Sequence, residues 1–154
     1  HDALPIWAVL IKREGVPLNV GPSMPVHVCS FADYSELFRT CKCVVHHGGV
    51  ATLMQVIAAG KPSLILPRTL DQFDQAARAQ KLGVAEVLPF KKLSEDELLA
   101  GVLSVLSDTK NTDGKLRDSA QFFTLEDGVR VACEQIHRLL ITKGVKDEQL
   151  FEIY

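Results

Sequence analysis

Short, almost unbroken apolar runs alternate along this chain with stretches in which apolar residues return every three or four positions. The runs are Ala8–Ile11, Val26–Cys29, Cys43–Val45, Ser63–Leu66 and Val84–Leu88. Each has the length of a strand, and continuous hydrophobicity is the pattern of a strand buried on both faces. Helices are predicted between them. A short one covers Ser35–Arg39, a second Gly49–Ala59, and a third Asp71–Leu82 with Phe73, Ala76, Ala77 and Leu82 as its apolar positions. A fourth begins at Ser94, with Leu98, Leu99, Val102, Leu103 and Leu106 on its inner face. Ser94 and Glu97 have the spacing of a capping box, and Gly60 and Gly83 stand where a left-handed residue ends a helix. A helix over about 113–123 and another after Gly128, carrying Val129, Val131, Ala132, Ile136 and Leu139, complete the series. Lys12 to Pro25 is a loop, with Gly15, Pro17, Asn19, Gly21 and Pro22 as its turn chemistry.

Strands alternating with helices imply an α/β fold, a Rossmann-like doubly wound parallel sheet covered on both faces. In such a sheet ligands bind at the C-terminal ends of the strands. That edge carries Phe31–Tyr34, His46–Thr52 and Pro67–Gln72, so separate segments converge on one place.

Composition narrows the partners. The 154 residues are 47% apolar and 23% charged, with a formal net charge of −2. This is a soluble globular composition of single-domain size, without the basic face that nucleic acid requires. No apolar run approaches the roughly 20 residues that span a bilayer. The four cysteines, Cys29, Cys41, Cys43 and Cys133, do not form the framework of a secreted disulfide domain, which leads us to expect reduced thiols and a cytoplasmic location. Residues 1–6, His1-Asp2-Ala3-Leu4-Pro5-Ile6, are the translation of CACGACGCTCTTCCGATC, the end of a common sequencing adaptor, and are expected to be an artefact. Residues 7–141 are read as the domain, and the charged, then apolar, tail over 142–154 is unassigned.

The chemistry gathers in Val44-Val45-His46-His47-Gly48-Gly49-Val50-Ala51-Thr52. A strand entering a glycine turn that opens a helix leaves backbone N–H groups aimed at one point, an anion site. The imidazoles of His46 and His47 and the hydroxyl of Thr52 would add donors, which suits a diphosphate. A plain turn with structural histidines is the competing reading. Asp71 and Gln72 suit sugar hydroxyls as an acceptor and an amide, and Asp71 can cap its helix at the same time. Gln55, one turn along the helix, reaches toward ribose or belongs to a solvated face. Phe31 and Tyr34 stack on a base or pack in the core. Cys41, Cys43, His46 and His47 are close in sequence but alternate across a strand and lack a second ligand cluster, so no metal is expected. The dinucleotide fingerprint, the G-x-x-x-x-G-K-[ST] loop and the G-x-S-x-G elbow are absent.

These blocks, with Ala59-Gly60-Lys61-Pro62, Pro67, Asp71-Gln72-Phe73-Asp74-Gln75-Ala76 and Leu82-Gly83-Val84 in order, resemble the C-terminal donor-binding domain of GT-B UDP-glycosyltransferases. The likeness runs from about Ala8 to Leu140 and is nearest to the bacterial macrolide, rhamnolipid and sterol types. It implies an inverting hexosyltransferase that uses a UDP-sugar as donor substrate, needs no further cofactor, and acts on a small lipophilic or lipid acceptor. Peripheral contact with a membrane is compatible with such an acceptor. The resemblance assigns His47, Gly48, Gly49 and Thr52 to the donor phosphates, Gln55 to the ribose, Asp71 and Gln72 to the sugar, and the Phe31–Tyr34 segment to the base. Gln55 stands where the family usually has glutamate, and Ala51 where many members have glycine.

The family's catalytic base is a histidine of the N-terminal domain, so no catalytic residue is expected here, and that domain becomes a required partner. The resemblance also places one strand and helix before Ala8. In the strand order 3-2-1-4-5-6 the absent strand is central, so a break is expected between the Ala8 and Cys43 strands, with low stability and no activity for the chain alone. The alternatives are a non-catalytic nucleotide-sugar-binding module, or a sugar-nucleotide epimerase or lipid-linked-intermediate transferase of the same fold.

Overall fold

The computed structural model describes residues 8–11, 15, 17, 25–107, 114–121 and 127–143. The adaptor-like residues 1–6, most of the Lys12–Pro25 loop, the last residues of the helix expected over 113–123, and 144–154 of the tail lie outside them.

The elements are β1 (Ala8–Ile11), β2 (Val26–Cys29), α1 (Tyr34–Thr40), β3 (Val44–His46), α2 (Val50–Ala58), β4 (Ser63–Ile65), α3 (Asp71–Leu82), β5 (Ala85–Val87), α4 (Glu95–Ser107), α5 (114–121) and α6 (Gly128–Thr142). All the ladders are parallel, but they form two sheets, β1–β2 and β3–β4–β5. The break lies where the strand order places it: among the described residues no ladder joins β1 to β3.

The three-stranded sheet is built around β4, whose residues are all buried. Successive side chains leave opposite faces. Ile65 joins Leu53 and Ile57 of α2, Ala76 and Ala79 of α3, Val84, and Leu116 of α5 in one apolar cluster. Leu64 meets α4 at Gly101, where an added Cβ would lie 3.2 Å from Leu64 Cδ2 and 2.7 Å from Leu88 Cδ1. The missing side chain therefore sets how closely α4 covers this sheet. A second cluster, Phe38, Val44 and Val56, ties α1 to α2 and β3.

Local signals act as expected at the helix ends. Ser94 and Glu97 form a reciprocal capping box, with the Glu97 N–H donating to Ser94 Oγ and the Ser94 N–H to Glu97 Oε2. Gly83, at φ 71°, closes α3. The inner face of α3 differs from the sequence reading: Ala76 and Ala79 are buried, whereas Phe73, Ala77 and Leu82 are exposed. Small residues let the helix sit close on β5, and the larger apolar side chains fall outside that contact. The apolar face of α6 is also exposed, and no residue of that helix is buried.

β1 and β2 expose Val9, Leu10 and Val28, and a two-stranded ladder is marginal by itself. Hydrogen exchange should therefore separate the two sheets. Amides of β1 and β2 are expected to exchange near the rate of open chain, while those of β4 are protected up to the global unfolding free energy. Equal protection in both sheets would contradict this division.

Candidate functional site

The loop after β3 carries the site. Its backbone is anchored to β4, where the Leu66 N–H donates to the His46 carbonyl at 2.9 Å. Gly48 then turns the chain at φ 87°. A Cβ at Gly48 would lie 2.9 Å from Ile65 Cγ2 and 3.3 Å from the Gln72 carbonyl oxygen. Glycine is required twice, by its backbone angle and by the approach of two neighbours. This contact brings the histidine loop and the start of α3 together at the C-terminal edge of β3 and β4.

The two histidines have different environments. His47 is exposed, and its ring folds back over the helix start: a Cβ on Gly49 would lie 2.6 Å from His47 Nε2. Gly49 is the N-cap of α2 and supplies no side-chain cap. The first intrahelical bond runs from the Leu53 N–H to the Gly49 carbonyl. The N–H groups of Val50, Ala51 and Thr52 precede that bond at the positive end of the helix dipole, beside the His47 ring. Thr52 is half-buried in this turn and Gln55 is exposed one turn on.

His46 is largely buried. Its Nδ1 accepts the Gly48 N–H at 3.1 Å, and its Nε2 is buried without a partner. Burial, with the nearby His47 adding to it, pushes its pKa down to about 4. His46 is therefore a neutral acceptor turned into the loop. The donor role that the sequence suggested for both imidazoles is open to His47 alone.

Gln72 and Asp71 also divide. Gln72 Oε1 accepts the Arg68 N–H at 2.9 Å and the Thr69 N–H at 3.2 Å. Its oxygen holds the turn, which leaves the amide nitrogen as its donor. The turn includes Leu70 at φ 38°, an uncommon angle for a residue with a side chain, and these two bonds hold it there. Asp71 is exposed at the first position of α3. Arg68 lies 4.4 Å from the Phe90 ring centroid in a cation–π contact at the rim.

Phe31 is 83% exposed. Tyr34 stacks on Phe38, with centroids 4.8 Å apart, and joins the α1–α2 cluster. Asp33 between them caps α1 by accepting from the Ser35 N–H, and its hydrogen bonds to Ser35 hold the carboxyl below its usual range. Burial raises the thiol pKa values of Cys41 and Cys43, with Cys41 adding to the effect on Cys43. Among the described residues no three His, Cys, Asp or Glu side chains gather as a metal site, and none of the described helices is long and apolar enough to cross a membrane. Two features had no clear sequence signal: the acceptor role of His46, for which only the His-x-Gly spacing hints at an i to i+2 bond, and the Arg68–Phe90 pair.

Residues 14–132 match the family model described as Erythromycin biosynthesis protein CIII-like, C-terminal domain. The chain is 32% identical over 108 residues to UDP-sugar-dependent glycosyltransferase 52 of Dictyostelium discoideum, covering 70% of this chain and 6% of that protein. It is 30% identical over 125 residues to sterol 3-beta-glucosyltransferase UGT80B1 of Arabidopsis thaliana, covering 79% of this chain and 20% of that protein. The solved glycotransferase of kitacinnamycin superposes with a TM-score of 0.75 at 23% identity, over 84% of this chain and 34% of that one. The chain thus spans a fifth or less of these curated relatives.

Two measurements follow from the geometry. Gly48→Ala forces a side chain into a left-handed residue against Ile65 and is expected to cost about 1–3 kcal/mol in urea unfolding. Gly49→Ala meets only the far end of the His47 ring, so it should change stability little and displace the ring. The second measurement concerns His46, which stays neutral to about pH 4 when folded but takes a proton near pH 6.5 when unfolded. The unfolded state binds more protons between these values. The contribution of His46 is therefore complete above about pH 6.5 and is lost as pH falls to about 4, by up to about 3 kcal/mol. His46→Asn should lack this component, so the difference between the two stability–pH curves isolates it.

Proposed function

The chain belongs to the family of C-terminal domains like that of erythromycin biosynthesis protein CIII, within the GT-B glycosyltransferases, and from that premise we propose that it is the donor half of an inverting, UDP-sugar-dependent hexosyltransferase with a lipophilic acceptor. The observation that carries the reading is the contact of Gly48 with Gln72. It joins a set of anion donors to a pair of sugar-suited side chains at one edge.

In this reading the diphosphate lies on the start of α2, held by the Val50, Ala51 and Thr52 N–H groups, the Thr52 hydroxyl and His47. Negative charge grows on the departing diphosphate as the sugar–oxygen bond breaks, and donors already aimed there favour that state over the ground state. Gln55 faces the ribose. Asp71 and the Gln72 amide nitrogen take the sugar hydroxyls. Phe31 is the aromatic that remains free to cover the base, since Tyr34 is committed to Phe38.

The UDP-sugar in the name of the Dictyostelium relative supports the donor. The glucosyl and sterol groups in the name of the Arabidopsis relative support a hexose and a lipophilic acceptor, which would allow peripheral membrane contact. Four unpaired cysteines fit a reducing, cytoplasmic setting. The base that activates the acceptor belongs to an N-terminal domain in this reading, so the 154-residue chain alone is expected to transfer no sugar.

Titrations of UDP and UDP-glucose followed by amide shifts test the assignment, because they read weak binding. His47→Ala should weaken both ligands about tenfold, the scale of one charge-assisted hydrogen bond. Asp71→Asn should weaken UDP-glucose and leave UDP unchanged. If His47→Ala leaves UDP affinity intact, the histidines are structural and the donor reading fails.

A further inference from the structure

His46 is a largely buried polar side chain whose Nδ1 bonds to the loop and whose Nε2 is buried without a partner. A side chain kept for packing alone would be apolar, because an unpaired buried donor is costly. Its position explains why it is polar. The residue ends β3, opposite Ile65 in the ladder, with its carbonyl held by the Leu66 N–H. Its backbone is thus fixed to the sheet from behind. The Gly48 N–H would otherwise lack an acceptor: Gly48 is buried, and among the described residues no backbone carbonyl accepts from it. The ring nitrogen supplies that acceptor at 3.1 Å.

We propose that His46 is a positioning residue for the anion loop: by accepting the Gly48 N–H it holds the left-handed turn that carries His47 over the start of α2. The inference rests on the donor reading above. It also removes one donor from the site, since the Gly48 N–H is committed to the protein and the ligand is left with the groups from His47 onward. An acceptor at Nδ1 requires the proton on Nε2, so the unpaired buried N–H is the cost of placing an acceptor there. A neutral ring is what the buried environment enforces.

The bond can be read without ligand. A nitrogen–nitrogen scalar coupling across the hydrogen bond, between the Gly48 amide nitrogen and His46 Nδ1, is expected in the isotope-labelled 154-residue chain, and its absence overturns the proposal. Function is read with UDP as the probe. His46→Leu fills the space and removes the orphan donor. It should leave the unfolding midpoint unchanged or higher, yet weaken UDP binding about five- to tenfold, the worth of one lost hydrogen bond. His46→Asn, whose amide oxygen can stand near the Nδ1 position, should recover most of that loss. A packing role alone would show no split between stability and affinity. His46→Leu binding UDP as the parent does overturns the proposal, as does His46→Asn binding no better than His46→Leu. If the parent shows the coupling but binds no UDP, the donor reading fails and the ligand-positioning role fails with it, while the brace itself stands.

Discussion

The site depends on one tight place: Gly48, with no side chain, seated between Ile65 of β4 and the backbone of Gln72. Everything that the loop presents to solvent is referred to the sheet through that contact. Ile65 is fully buried in the cluster that joins α2, α3 and α5, so the wall behind Gly48 is part of the apolar core. The loop is short and glycine-rich, which would ordinarily make it mobile. It is held by a buried wall on one side, a histidine acceptor on the other and a backbone bond at its root. A loop on such a support has little conformational entropy left to lose.

The two histidines show how neighbouring residues of one type acquire opposite roles. Alternation at the end of β3 sends His46 toward the interior and His47 toward solvent. Burial makes the first a neutral acceptor. The second is left at the positive end of a helix, with a ring nitrogen over the N-cap. A similar division occurs at α3, where Gln72 spends its oxygen on the turn and Asp71 stays exposed. At both places one polar side chain holds the backbone and its neighbour is left exposed.

Much of this was legible in the sequence, for reasons that can be stated residue by residue. The bounds of α3 are Asp71 and Leu82, as expected, because Gly83 can take the left-handed angle that ends it. The capping box at Ser94 is local chemistry and needs no tertiary information. The strands were found to within a residue or so because each is a continuous apolar run, although the double burial expected of such runs holds only for β4, and β1 and β2 are largely exposed. What could not be read was direction. Periodicity marks Phe73, Ala77 and Leu82 as apolar, but only the close approach of β5 decides that the contact belongs to Ala76 and Ala79. Tyr34 and Phe31 are equivalent as aromatics, and the α1–α2 cluster takes one and leaves the other. The pairing of His46 with Gly48 depends on a ring rotation that no spacing encodes.

The division of the strands into two sheets bears on how the histidine loop is supported. Both apolar clusters belong to the half of the fold built on β3–β4–β5: every buried residue they contain comes from residue 38 onward. β1 and β2 bring no residue to either cluster and leave Val9, Leu10 and Val28 exposed. The elements that hold the proposed phosphate and sugar groups, β3, α2, β4 and α3, are thus consecutive in the chain and share their core. Their contacts close short loops, which cost little entropy. The aromatic proposed for the base, Phe31, follows β2 and connects to this core through α1. The structure therefore places the histidine loop on the better-packed sheet and Phe31 at its less supported margin, so loss of order in β1–β2 would reach Phe31 before it reached the loop.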